Sequence, residues 1–376
     1  MKKLIWDYVS RIRMFRRKPA REERAETVNK LLRSTLFWAC VAEFVILLVC
    51  FILRPDFFSI SYQRSTGMLY GSLIDILNRS AEITIIAMGM TLVIATGGTD
   101  LSVGALVAVA NSFSLRLMRG SLENVVGDYT MTPFFLVILL PLLLCMALGA
   151  FNGLLVSRGG LQPIIATLVL MTAGRGVAQL FTDGGQWTID YTPFQFIGRG
   201  SLFFFPTPVI IWIGIFLIFL IFTRKTAFGM FVESVGVNAN ASHVAGIKAK
   251  NIKLIVYTLT GLLAGISGLV FGSRISANDA NNAGLFFELD AILAVVIGGT
   301  AMGGGKFSLS GTVVGSIIIR TITTIAYYFG VVAEAIMAFK AIVVVIVIVL
   351  QSEPVRKYFA TRVQRRRVLM GGEARA

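Results

Sequence analysis

From residue 35 to residue 350 the chain alternates long apolar runs with short polar connections, and that alternation leaves few folds open. The stretch PVIIWIGIFLIFLIF at 208–222 carries no charge at all. Backbone N–H and C=O groups in such a run find no water in hydrocarbon, so they must be satisfied within the segment, as a helix does. Ten windows of this kind are read: 35–53, 80–96, 101–118, 133–156, 161–182, 206–223, 254–273, 289–304, 308–328 and 332–350. They predict an all-α polytopic membrane protein of about ten transmembrane helices. The second, third and eighth windows are shorter than the ~20 residues a straight span needs, so some helices are expected to be tilted, broken or re-entrant. Composition agrees: 56% of the 376 residues are hydrophobic and 15% charged, against about 45–50% and about 25% in soluble domains.

The formal net charge of +15 is unevenly placed. Eleven Lys and Arg fall in 1–34, five in 224–253 and seven in 351–376. Ten spans put these segments, with Arg158 and Lys306, on one side of the membrane. The positive-inside rule makes that side the cytoplasm, about 25 basic residues against about 7 opposite. The expected organisation is a basic cytoplasmic tail at 1–34, a transmembrane domain at 35–350 with a cytoplasmic loop at 224–253, and a second basic cytoplasmic tail at 351–376. In the first tail Leu4, Ile5, Tyr8, Val9, Ile12 and Phe15 recur at helical spacing, which suits either a surface-lying amphipathic helix or a solvated tail. Basic residues gathered at chain ends and in one loop orient a membrane protein, and no nucleic-acid partner is expected.

Several chemistries find no support. Cys40, Cys50 and Cys145 lie in apolar windows without metal-ligand spacing, and His243 is the one histidine; no metal, cofactor or catalytic residue is expected. A phosphate-binding loop would need Gly at 300 and Ser or Thr at 307, where Thr300 and Phe307 stand. The chain is therefore not read as an enzyme, and energy for any active process must enter from elsewhere.

Two stretches echo each other: VIATGGTDLSVGALV (93–107) and VVIGGTAMGGGKFSLSGTVVG (295–315). Paired glycine-interrupted segments often mark the moving or binding part of a transporter. They equally end one helix and start the next, with Asp100 and Ser308 as N-caps. Gly97, Gly98, Asp100, Ser102, Gly298 and Gly299 are the candidates on this pathway or gate. A polar cluster, SANDANNAGLFFELDAI (276–292), adds Asn281, Asn282, Glu288 and Asp290 at the expected outer end of the seventh and eighth spans. Amides and carboxylates suit sugar hydroxyls, which donate and accept; Asn, Asp and Gly also build plain turns. Ionisable groups at membrane depth, among them Glu43, Glu82, Arg175, Arg320, Glu334 and Lys340, are scattered and form no proton relay readable from sequence. Gly261, Gly265 and Gly268, with Gly311 and Gly315, have the spacing of closely packed membrane helices.

The loop MFVESVGVNANASHVAGIKAKNIK (230–253) is polar and small between two apolar spans. Asn240 is expected to cap a short helix that Gly246 ends, with His243 on its surface.

These motifs resemble the permease subunits of bacterial ATP-binding-cassette sugar importers of the ribose/galactose type, most nearly the galactofuranose-importer permeases. GMTLVIATGGTDLSVGA is similar to that family's Gly-Gly-Ile-Asp-Leu-Ser-Val-Gly signature, with Thr99 in place of Ile. VGVNANASHVAGI is similar to its cytoplasmic loop, with Ser242 where Ala is usual. The resemblance covers roughly 70–350. It implies two permease subunits, identical or different, separate ATPase subunits and a periplasmic sugar-binding protein at the bacterial inner membrane. It also implies ATPase coupling through Glu233, Gly236, Asn238, Ala241, Ser242, His243, Ala245 and Gly246. The alternatives are an ion-coupled secondary transporter of a polar solute, or an ATP-driven permease for a non-sugar such as a nucleoside.

Overall fold

A computed structural model describes residues 34–63, 68–119, 132–188 and 190–351. The tails, including the amphipathic pattern at Leu4–Phe15, lie outside the described residues. Each of the ten apolar windows forms a helix: α1 (Thr35–Leu53), α3 (Ala81–Ala95), α4 (Val103–Arg119), α5 (Phe134–Ser157), α6 (Pro163–Phe181), α8 (Thr207–Lys225), α11 (Ala249–Ile275), α12 (Phe287–Ile297), α13 (Leu309–Tyr328) and α14 (Ala333–Gln351). Shorter helices join them: α2 (Ser72–Arg79), α7 (Thr192–Arg199), α9 (Ala227–Val237) and α10 (Ala239–Val244). Among the described residues α1, α5, α6, α8, α11 and α13 are long and apolar enough to cross a membrane. The pair α2–α3, bent by 41°, makes a seventh if it is one span. The three windows expected to be short are α3, α4 and α12, with 15, 17 and 11 residues.

α3 is buried along its whole length, enclosed mainly by α8, α11, α12 and α13. Glycines allow this closeness. A Cβ on Gly261 of α11 would lie 2.4 Å from the Cys145 carbonyl and 2.9 Å from Gly149 Cα, and one on Gly315 of α13 2.1 Å from the Ala294 carbonyl. The expected packing rows thus touch neighbouring helices. Hydroxyl pairs add specificity where van der Waals packing alone would tolerate sliding. Thr84 and Ser316 are 2.7 Å apart, as are Thr91 and Thr312, so α3 and α13 are fixed in register.

Strands are few. β1 (Ser61–Gln63) pairs with β2 (Met68–Tyr70), and β4 (Ser201–Leu202) with β5 (Phe205–Pro206). β3 (Trp187–Thr188) pairs antiparallel with β6 (Ala277–Asn278), placing Trp187 opposite Asn278. The aromatics between Thr182 and Pro206 suit a membrane boundary or an extracytoplasmic partner by sequence, yet Trp187 and Phe194 turn inward. The Arg119 guanidinium lies 4.0 Å from the Trp187 ring centre, a cation–π contact that favours the covered ring. Cys50 and Cys145 are packing residues, while Cys40 is exposed.

Candidate functional site

The segment after α8 is a run of capped helices. Thr226 Oγ1 accepts from Phe228 N at 3.2 Å and starts α9; Asn238 Oδ1 accepts from Ala241 N at 2.9 Å and starts α10. The N-cap is therefore Asn238 and not Asn240. A cap needs extended backbone, which Asn238 has (φ −160°, ψ 104°), whereas Asn240 already lies within α10. Gly246 ends the helix as expected. It adopts φ +86°, its N–H donates to the His243 carbonyl, and Ile247 N donates to the Ser242 carbonyl, a Schellman closure. Ala241, His243, Ala245 and Gly246 face outward, Val244 is 89% exposed, and Ser242 is buried. Glu233 and Gly236 are half-buried on α9.

The two Gly-Gly-Thr turns close in the same way. After α3, Gly97 N donates to Ile94 O and Gly98 N to Val93 O; after α12, Gly299 N donates to Val296 O and Thr300 N to Val295 O. The left-handed residue is the first glycine in one turn (Gly97, φ +76°) and the second in the other (Gly299, φ +88°). Only the first turn belongs to a larger junction. Gly305 N donates to Ala95 O at 2.8 Å, and a Cβ on Gly236 would lie 1.8 Å from Ala95 O and 2.5 Å from Gly305 N. A Cβ on Gly304 would lie 2.9 Å from Gly236 O and 3.0 Å from Gly97 N. Backbone of α9, of the first turn and of 303–305 therefore meets with no side chain between. Gly298 and Gly299 are elsewhere, against Gly311–Thr312 and Thr35.

Asp100 is not the N-cap expected of it, because α4 begins at Val103 and the cap position falls on Ser102; its carboxylate closes the turn before the helix. Its Oδ1 accepts from Ser102 N at 2.9 Å and Ser102 Oγ at 2.6 Å, while Asn152 of α5 donates Nδ2 to Ser102 Oγ at 2.9 Å. Tyr257 of α11 donates Oη to Thr99 O at 3.1 Å. Asp100 and Asn152 are buried and each keeps one oxygen without a hydrogen-bond partner. Sequence reasoning missed Asn152 and Tyr257: each sits alone in an apolar window.

The Asn-rich segment turns back along α4. Asn278 bonds Asn111 and Ser112 of α4, while Gly284 packs on Gly104 and Val107, seven residues nearer the α4 start. At 1.5 Å per residue that is about 10 Å of retreat along α4. α12 thus starts deep, which is why 11 residues bring it back to the Gly298 turn. The Arg175 guanidinium of α6 pins the retreat through the Ala280, Asn281 and Ala283 carbonyls. Gln179 donates to Asn281, and Asn282 to Asp279. Together with Asn281 N and Gln186, the Asn282 bond holds the Asp279 carboxyl below the usual carboxylate range. Buried Glu288 lies against Gly104 with one carboxylate oxygen unpartnered, and Asp290 takes an ion pair from Lys340 at 2.6 Å.

Other intramembrane charges also find partners across helices. Glu82, fully buried, meets Arg274 at 2.6 Å and Arg320 at 4.0 Å, and Glu43 accepts from Thr321 at 2.7 Å. Among the described residues no group of three or more His, Cys, Asp and Glu is placed to hold a metal ion.

Comparison with known proteins adds what geometry does not. The family described as "Branched-chain amino acid transport system / permease component" matches residues 72–350. The galactofuranose transporter permease protein of Escherichia coli (strain K12) is 44% identical over 319 residues, 83% of this chain and 88% of that protein. The fructose import permease protein of Bifidobacterium longum (strain NCC 2705) is 40% identical over 351 residues, 92% and 96% of the two chains. The ribose import permease protein of Bacillus subtilis (strain 168) is 34% identical over 313 residues, 82% and 90%. No solved structure gives a significant match.

Proposed function

The chain belongs to the family of branched-chain amino acid transport system permease components, and from that premise we propose that it is the transmembrane subunit of an ATP-driven importer of a monosaccharide. Relatives named for galactofuranose, fructose and ribose support the substrate class. In this reading a periplasmic binding protein delivers the sugar, a second permease subunit completes the pathway, and separate ATPase subunits supply the work. The protein sits in the bacterial inner membrane with both tails and α10 in the cytoplasm, as the charge distribution supports.

One observation carries the coupling assignment: the doubly capped, outward-facing α10 continues from α9, whose Gly236 backbone lies directly on Ala95 and Gly305. An ATPase subunit that seats α10 and closes on ATP displaces α9. Gly236 then presses on the end of α3 and on the 303–305 loop, because no flexible side chain lies between to absorb the movement. Gly97, Gly98, Asp100 and Ser102 are the gate elements in line with that push. Asn281, Asn282, Glu288 and Asp290 border the pathway on the retreating segment. Gly298 and Gly299 act as the brace between α12, α13 and α1.

The test is uptake of labelled monosaccharide into liposomes holding the chain with its ATPase and binding-protein partners. Accumulation requires ATP and all components. Accumulation driven by an ion gradient without nucleotide makes the chain a secondary carrier instead.

A further inference from the structure

Between the last turn of α5, the first turn of α11 and the inner side of α10 lies a cavity of about 580 Å³ to which the transport reading assigns no ligand. Its wall includes Lys248, Lys250, Lys253, His243, Asn240 and Ser157, and no carboxylate. None of the three ammonium groups has an ion-pair partner among the described residues. The N-terminus of the 27-residue α11 opens there without a side-chain cap, adding the positive end of a helix dipole. Ser157 is 7% exposed, and its Oγ has no hydrogen-bond partner. A buried hydroxyl left unpaired costs about 1–3 kcal/mol, a cost that an acceptor reaching it from the cavity would remove.

We propose that this pocket binds the phosphate headgroup of an anionic membrane phospholipid. The chemistry is that of a phosphate: three cations and a helix N-terminus line the pocket, and an unpaired hydroxyl lies buried in its wall. The location selects a lipid as the source. α5 and α11 are both spans, so the cavity sits where each leaves the hydrocarbon, at headgroup depth, and Val156 and Ala249 give its wall an apolar part for the glycerol end. Basic pockets between membrane helices suit such headgroups. Because Ala239, Asn240 and His243 also line the cavity, a bound headgroup braces α10 against α5 and α11, and lipid composition then tunes the stiffness of the element that faces outward.

The experiment uses the full chain, equilibrated with equal amounts of phosphatidylglycerol and phosphatidylcholine, with retained lipid counted by native mass spectrometry. One phosphatidylglycerol is held selectively. Lys250→Gln weakens its retention about fivefold, and the triple Lys248→Gln/Lys250→Gln/Lys253→Gln variant about a hundredfold, as expected for independent headgroup contacts. Ser157→Val, which leaves every charge in place, also weakens it and serves if the triple variant misfolds. Removing three tail charges (Arg365→Gln/Arg366→Gln/Arg367→Gln) leaves the selective lipid in place. Equal retention of the neutral lipid, or unchanged retention in the triple lysine variant and in Ser157→Val, overturns the proposal. So does equal protection by inorganic phosphate, which makes the pocket a site for soluble anions. Loss of ATPase-subunit co-purification with lipid retention intact also overturns it, marking the lysines as a surface for an acidic partner.

Discussion

The two Gly-Gly-Thr turns share a sequence and a closure but not a use. Gly97 and Gly299 both sit at positive φ behind the same pair of helix-ending hydrogen bonds. Around Gly97 there is room: a Cβ would meet only the Gly303 carbonyl, at 4.0 Å. Around Gly299 there is none, since a Cβ would come within 2.2 Å of Thr35 Oγ1. Gly97 has open space beside it although the adjoining Gly98 is packed on Tyr257, with the Gly236–Ala95–Gly305 junction on one side and the Asp100–Ser102–Asn152 network on the other. The second turn is clamped against α1 and α13. Equal local chemistry therefore leaves space beside one left-handed glycine and none beside the other, and the surroundings decide which.

The sharpest way to break this contrast is at the junction. Gly236→Val drives a branched side chain into the Ala95 carbonyl and the Gly305 amide, so ATP-driven uptake is lost and the chain is destabilised by several kcal/mol, on the order of the largest core effects; thermal unfolding with a liposome uptake assay reads both. A bulky residue at Ala241 separates docking from folding: Ala241 is exposed on α10, so Ala241→Trp leaves membrane insertion and thermal stability within about 0.5 kcal/mol while abolishing uptake. Normal uptake by that variant removes α10 from the coupling role.

Next come the turns themselves. Gly299→Ala costs backbone strain plus a clash with Thr35, about 2–4 kcal/mol together, whereas Gly97→Ala costs the strain of about 1–2 kcal/mol alone. Equal losses of stability would erase the distinction between the two turns. Asp100→Asn keeps the shape and the acceptor for Ser102 but removes the ionisable group, so transport falls several-fold while ATPase-subunit association, measured by co-purification, is unchanged. The smallest effect concerns the cap: Asn238→Ala costs about 1 kcal/mol of α10 stability, and Asn240→Ala, away from the cap, costs less. The reverse order would return the cap to Asn240.

Much of the architecture was legible because it is locally encoded. A helix closes its hydrogen bonds four residues away, so an apolar window announces a helix whatever packs on it, and all ten windows are helical. Helix ends are local too: Gly246 and Ser308 act where sequence placed them, with Ser308 Oγ accepting from Gly311 N at 3.1 Å. The cap falls on Asn238 where Asn240 is expected, because both are competent caps and only the backbone angle chooses between them.

The sequence by itself determined the solvent, the helices and most of their ends, through composition and contacts within a few residues. Only the tertiary structure decided what meets across helices: Asn152 with Ser102, Glu82 with Arg274, Lys340 with Asp290, and Gly236 with Ala95 and Gly305. In an apolar window a lone polar residue or a glycine fixes no partner, because many helix rotations and registers bury the same hydrocarbon equally well. Shape and the pairing of the few buried polar groups select one of them, and these appear only when the helices are packed together.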